Sequence, residues 1–371
     1  MTTSAPTKGS VDLLVDWDLA ARTAARVAGA GPQIGPVAAG EVVTRLREAA
    51  ARSVPYVADT ARLAGAELGE LLVVDRAGWA RSNAASFRTL LDPVVATALD
   101  AKGRPSAATV AVGSRVSGTQ VGALLGFLAG RVLGQYDPFA SGTDGRLLLV
   151  APNVVQVQRE LDVDAADFAL WVCLHEETHR VQFTANPWLA GHLRQQMLDG
   201  VGDMLGESGQ LPERLAAVSR TITDLLRSSV SDAPTEAAAG PDDGLPPLVA
   251  AVTTPEQRAR LAQITAVMSL LEGHADVVMD DVGPKVVPTV AVIRERFTRR
   301  RGGRGPADRL LRRLLGLEAK MRQYADGAGF VRQVQAAVGI DGFNLVWTSP
   351  ETLPLPAEIA DPALWVRRVH G

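Results

Sequence analysis

His175, Glu176, Glu177, Thr178 and His179 set two imidazoles four residues apart, with a carboxylate directly after the first. On a helix of 3.6 residues per turn those histidines lie about 40° apart around the axis, so both can reach one ion. This is the H-E-x-x-H pattern. It supplies two zinc ligands and a general base, Glu176, placed to take a proton from a zinc-activated water as that water attacks a carbonyl. With five histidines in 371 residues, chance pairing is a poor account of it. The bland alternative is a core helix whose histidines only satisfy buried hydrogen bonds. Two histidines and two glutamates inside an apolar helix would then cost several kcal/mol unless paired, which favours a metal.

A catalytic zinc needs a third protein ligand and an open position. Glu272, in Leu271-Glu272-Gly273-His274-Ala275-Asp276, is the candidate. Asp276 is four residues on and shares its face, so it can accept a hydrogen bond from a ligand histidine. His274 is the rival ligand. It stands about 200° around the helix from Glu272, so a straight helix cannot aim both at one metal. His274 otherwise shares an apolar side with Val267, Leu270, Val277 and Val278 and would act as a core or supporting group. Tyr324 and Arg322 are candidates for stabilising an oxyanion. A surface tyrosine on a helix is the plain alternative for Tyr324.

The element that must hold the histidines is a helix from about Asp164 to Phe183. Asp162 and Asp164 offer N-cap oxygens, and Asp167 adds charge to the first turn. Its first half is apolar all round, which places it in a core. Cys173, the single cysteine, lies about 160° from His175 and reads as a packed small hydrophobe. One cysteine excludes an intrachain disulfide and fits a reducing, cytoplasmic setting.

Hydrophobic residues make up 47% and charged ones 21%, enough core material for one large or two smaller domains. The net charge of −3 gives no general attraction to nucleic acid or anionic membrane. No apolar run reaches the length of a membrane span, and the N-terminus lacks a signal-peptide pattern. We expect a leader (1–10) without fixed structure and a helical N-terminal region (11–110). A catalytic region follows (111–371), with an insertion at 184–254 and a wrapping tail at 340–371.

Along the chain, Gly40–Arg52 and Val57–Leu72 read as helical, and Asp92-Pro93 and Gly103-Arg104-Pro105 as breaks. Glycine recurs at 118, 122, 126, 130 and 134, one smooth helix stripe for close backbone packing, with Gly134–Pro138 ending the helix. Arg146–Val150 is the clearest strand, either structural or able to bind extended substrate by strand addition. Asn153–Leu161 and 187–227 read as helical, and Ser228–Pro247 as a mobile loop. Thr254-Pro255-Glu256-Gln257 opens a helix with a capping box, running to about Asp281. Nine arginines lie between Arg294 and Arg313. With few aromatics nearby they read as a solvated loop rather than a nucleic-acid patch. Trp347 and Trp365 are expected to peg the tail to the body.

VDWDLA near the start, LGQYDP, HEETHRVQF, LLEGHADVVMD, GLEAKMRQY and the FNLVW tail together resemble a family of actinobacterial zincin-like proteins, labelled as metallopeptidases or as deazaflavin-biosynthesis-associated. The resemblance spans nearly the whole chain. It implies a mainly α zincin-like metallopeptidase fold with a small β-sheet, zinc on His175, His179 and Glu272, and Glu176 as base. The E-x-x-x-D pairing of Glu272 and Asp276 resembles the gluzincins. The metzincin pattern is absent, since Gln182 and Ala185 stand where it needs Gly and His. The leading expectation is a zinc peptidase acting on a peptide or protein substrate. The alternatives are a zincin-fold binding or scaffold protein with little turnover, and a hydrolase of a non-peptide amide.

Overall fold

The computed structural model describes residues 9–65, 69–102, 106–140, 145–206, 253–302 and 317–371. It is mostly helical, with one three-stranded sheet among the described residues. By backbone contact the chain divides into two units. The first is Met1–Arg194 with Val278–Phe297, and the second is Gln195–Val277 with Thr298–Gly371.

The first unit opens with a 3-10 turn, Ser10–Leu13, and then α1 (Trp17–Ala28), α2 (Pro36–Ala61), β1 (Glu70–Val74), α3 (Arg76–Lys102) and α4 (Ala107–Ala129). Next come β2 (Gly134–Asp137), β3 (Arg146–Val150), α5 (Ala151–Leu161), α6 (Ala165–Thr184) and the start of α7 (Pro187–Gly206). The sheet order is β1-β3-β2. β3 is central, parallel to β1 and antiparallel to β2. The apolar run Leu147–Val150 is completely enclosed, as a strand covered on both faces must be.

The core of this unit is built around α6. Phe168 stacks on Trp171 with ring centroids 5.8 Å apart, and Trp171 meets Phe297 edge-on at 5.1 Å. α2 contributes Leu46, Ala49, Ala50 and Val57 to the same core. The first three glycines of the stripe pack as expected, while Gly130 and Gly134 lie beyond the helix. β-carbons at Gly118 and Gly122 would come within 2.5 Å of the Asp16 and Ala20 carbonyl oxygens of α1, and one at Gly126 within 2.7 Å of that of Ala24. Only hydrogen on these α-carbons lets the two backbones approach so closely. A buried polar hub closes the same end of the bundle. Arg76 donates to Asn153 Oδ1 (2.6 Å), the Ala28 carbonyl (2.9 Å) and Gln156 Oε1 (2.5 Å), and Asn153 donates to the Ala129 carbonyl (2.7 Å). These bonds satisfy carbonyls at the C-terminal ends of α1 and α4 that no helical N–H can reach.

The second unit contains the later part of α7, most of α8 (Pro255–Val282), α10 (Leu317–Phe343), two 3-10 turns, α11 (Pro356–Ala360) and α12 (Pro362–His370). α8 starts on the expected reciprocal cap: Gln257 N–H donates to Thr254 Oγ1 (3.2 Å) and Thr254 N–H to Gln257 Oε1 (2.9 Å). It ends at Gly283, whose φ of +70° favours glycine. Trp347 and Trp365 are buried at 3% and 0% exposure, and Trp365 meets Phe330 of α10 edge-on at 5.9 Å. The tail is therefore pegged by both tryptophans. Arg368 clamps Glu358 through two hydrogen bonds, of 2.6 and 2.8 Å.

Several local expectations differ from the structure. The helix expected over Val57–Leu72 stops at Ala61, with Arg62 left-handed at φ 49°, and Glu70–Val74 pairs with β3 instead. A short apolar run suits helix or strand equally, and pairing decides. Pro93 does not break α3. The helix runs through it from Arg76 to Lys102, with the turn before it on the exposed side at Thr89. Gly134 ends no helix, because α4 finishes at Ala129 and Gly134 begins β2. Asp162 caps the end of α5 rather than the start of α6.

The basic segment is helical from Val290 to Gly302 (α9), not a loop. Arg294 pairs with Asp280 at 2.5 Å, and Arg296 donates to the Leu161 carbonyl at the end of α5 (2.8 Å). Arg299, Arg300 and Arg301 also lie on α9, while Arg304, Arg309, Arg312 and Arg313, with the leader residues 1–8, the segment 103–105 and the expected loop Ser228–Pro247, lie outside the described residues. No described helix is long and apolar enough to cross a membrane.

Candidate metal centre

α6 begins where Asp164 accepts from the N–H groups of Ala166 (2.8 Å) and Asp167 (2.9 Å). Asp167 in turn accepts from the Thr289 N–H (2.9 Å) and hydroxyl (2.6 Å), which fixes the first turn. From Phe168 to Gln182 every residue is buried except His175 and His179. Between its two ends the helix therefore surfaces only at its two imidazoles.

Those imidazoles converge. Their Nε2 atoms are 3.2 Å apart, with the rings nearly perpendicular at 85°. Two ligands each about 2.0–2.1 Å from one tetrahedral ion are separated by roughly 3.3 Å, so this spacing suits a shared zinc. His179 Nδ1 faces Gln182 Oε1 at 3.0 Å. Glu176 is 5% exposed and lies directly against Gly134, the first residue of β2. A β-carbon on Gly134 would stand 2.5 Å from Glu176 Cγ and 2.8 Å from its Oε1. Glycine at this position is what lets the strand and the carboxylate share the space.

Glu177 and Arg180 form a buried pair one helical turn apart, with Arg180 Nε on Oε2 at 2.7 Å and Nη2 on Oε1 at 2.5 Å. Burial pushes the Glu177 carboxyl above its ordinary range, and the Arg180 guanidinium opposes that rise. Burial also pushes the Cys173 thiol up, with the charges of Glu176 and Glu177 adding to the effect. That thiol sits 3.8 Å from the Leu46 carbonyl, a packed and unreactive position.

On α8, Glu272 and Asp276 lie one turn apart and are both half-buried, while their neighbours Gly273, His274 and Ala275 are buried. His274 is fully enclosed, its ring 5.4 Å from that of Phe343 and 5.3 Å from that of Trp347. α8 crosses α10 at the residue beside Glu272. A β-carbon on Gly273 would fall on the backbone of Gly327, and one on Gly327 would fall on the Ser269 carbonyl.

Among the described residues, one group of His, Cys, Asp and Glu side chains could hold a metal ion: His175, His179 and Glu272. Each offers one ligand atom, and all lie within 4.8 Å of one another. Two nitrogens and a carboxylate oxygen are a donor set that zinc accepts. His274 is outside the group. Tyr324 lies on α10, but its side chain and that of Arg322 are outside the described residues. The strand Arg146–Val150 cannot take an added peptide strand, because β1 and β2 occupy both its edges.

Sequence reasoning missed Gln182 as a partner of His179, Gly134 as a neighbour of Glu176, and the Gly273–Gly327 crossing. Gln182 left a trace, as the departure from the metzincin pattern. Gly134 was hidden by its place in a five-glycine period. Gly273 carried no periodic signal at all.

Comparison with known proteins agrees with this geometry. None of the curated proteins compared with the chain matches it. A crystal structure of a provisionally assigned hydrolase with a novel fold from Chloroflexus aurantiacus is 30% identical, with a TM-score of 0.63. The match covers 96% of this chain and 98% of that one. The family described as zincin-like metallopeptidase matches residues 15–366, an extent that takes in both helices bearing the candidate ligands. With its histidine pair converging on α6, this chain belongs to the zincin-like metallopeptidase family.

Proposed function

We propose that the protein is a zinc-dependent hydrolase that cleaves peptide bonds, with His175, His179 and Glu272 as metal ligands and Glu176 as general base. The observation that carries this reading is the 3.2 Å approach of the two Nε2 atoms within the otherwise buried stretch Phe168–Gln182. When bound, zinc supplies Lewis-acid polarisation and brings the pKa of water toward neutrality. Glu176, screened from solvent by its contact with Gly134, accepts the proton released on attack and returns it to the leaving amine. Asp276, one turn after Glu272 on the same helix face, is suited to accept a hydrogen bond from a ligand imidazole and fix its orientation. Tyr324 is proposed to stabilise the developing oxyanion. A peptide or protein is the substrate class this chemistry fits. A cytoplasmic setting suits a chain whose only cysteine is a buried thiol.

The test combines metal analysis with one substitution. Purified protein should carry about one zinc per chain. Glu176→Gln should keep that zinc while peptide cleavage falls by about 10²–10⁴-fold, the usual weight of a general base. A chain that takes up no zinc would overturn the metal site. Zinc uptake with no cleavage of any peptide in a broad library would overturn the peptidase reading alone.

A further inference from the structure

We infer that Gln182 is a positioning residue for the metal site. Its side-chain carbonyl accepts the Nδ1 proton of His179 and so directs the Nε2 lone pair of that imidazole toward His175. The inference rests on the zinc reading above only where zinc affinity is used as a readout.

Gln182 is three residues after His179 on α6 and has 0% exposure. Its Oε1 is 3.0 Å from His179 Nδ1, while His179 Nε2 is 3.2 Å from His175 Nε2. A neutral imidazole carries one N–H, and the bond made by one nitrogen decides which nitrogen is left to bind a metal. If the carboxamide NH2 faced Nδ1 instead, the proton would sit on Nε2 and point at the other histidine, which closes the ligand position. Only the orientation with Oε1 toward Nδ1 leaves both Nε2 atoms able to ligate. The backbone holds Gln182 in place, because its main-chain carbonyl accepts from Nδ2 of the buried Asn186 at 2.9 Å.

The choice of an amide over an acid follows from the charges already in the helix. α6 buries Glu176 and Glu177, with Arg180 paired to Glu177, and burial already raises the Glu177 carboxyl. A third buried carboxylate within two turns would carry a further desolvation cost. A carboxamide accepts the same proton without that charge.

The experiment uses the whole chain and zinc alone as the probe, in competition with a chromophoric chelator. Gln182→Met preserves length and removes the acceptor. Gln182→Glu keeps the acceptor. We expect Gln182→Met to weaken zinc binding by about 10–100-fold, the usual effect of losing a ligand's outer partner, and Gln182→Glu to stay within a few-fold of wild type. The metal-free Gln182→Met protein should still unfold cooperatively, with a melting temperature lowered by no more than the loss of one hydrogen bond explains. Independently, histidine 15N shifts of metal-free wild type at about pH 8, above the ordinary histidine range, should report His179 as the Nδ1–H tautomer.

Wild-type zinc affinity in Gln182→Met, or an Nε2–H tautomer at His179, overturns the inference. If Gln182→Met does not fold, the tautomer and the Gln182→Glu affinity decide the matter. If wild type takes no zinc, the functional reading fails while the tautomer still tests the hydrogen bond.

Discussion

Two pairs of helices in this molecule approach each other through glycine, and they do so differently. α1 and α4 meet along a line, with Gly118, Gly122 and Gly126 each one turn apart beneath the carbonyls of Asp16, Ala20 and Ala24. α8 and α10 meet at a point, Gly273 against Gly327. The first contact is spread over two turns, so a misfit at one glycine is shared by its neighbours. The second has no such relief. It also lies one residue from Glu272, so whatever shifts the crossing shifts a candidate ligand. One crossing stands apart from the candidate ligands, and the other lies beside one of them.

Three substitutions test that contrast. The largest effect is expected for Gly273→Ala, whose added carbon meets backbone with no flexible side chain to give way. Overpacking of this kind should cost about 3 kcal/mol or more, against the usual 1–3. Zinc affinity should fall by more than about tenfold, as for a displaced ligand or its support. Denaturant unfolding and a zinc titration read the two effects. Normal zinc binding by this variant would remove the distinction between the crossings.

Gly122→Ala should be milder. Its carbon would come 2.5 Å from the Ala20 carbonyl oxygen and 2.7 Å from Thr23 Cβ, and a loss of about 1–3 kcal/mol with unchanged zinc affinity is expected. Weakened zinc binding here would show that the α1–α4 contact reaches the site after all.

The smallest effect belongs to the Glu358–Arg368 clamp at the end of the second unit. Burial alone would raise the Glu358 carboxyl, but hydrogen bonds from Arg368 and the Leu355 N–H outweigh it and hold the carboxyl below its ordinary range. A carboxylate with a lowered folded pKa contributes stability that is present above its unfolded pKa and lost as pH falls through the folded value. Glu358→Gln should therefore cost about 1 kcal/mol near neutrality, given the partial exposure of Arg368, and progressively less in acid. Unfolding curves of both proteins across the acid range measure this. A gap that stays constant with pH would rule out the ionic origin, and zinc affinity should not change.

How much could be read beforehand follows the same division between line and point. The histidine pair, the N-cap at Asp164, the Thr254–Gln257 cap, the β3 run and the α4 stripe all depend on residues close in sequence, so spacing alone disclosed them. β1 could not be told from the end of a helix, because Glu70–Val74 takes its identity from Arg146–Val150, far along the chain. The arginines of α9 suggested a solvated loop, since their partners Asp280 and the Leu161 carbonyl belong to other elements. Glu272 was legible from chemistry, as a carboxylate with a second one a turn away. What holds it was not, because Gly327 lies 54 positions after Gly273 and only the fold brings the two together.

The burial of α6 from Phe168 to Gln182 also bears on how such a site can change over generations. A stretch of helix that surfaces only at two imidazoles has no outer side on which neutral drift can accumulate. Almost any substitution between Phe168 and Gln182 is first a stability problem and only then a functional one. New metal preferences or substrates would arise more readily by altering what packs against the helix, as β2 does through Gly134. The histidine helix is the part least free to evolve, and its neighbours are the means of varying it.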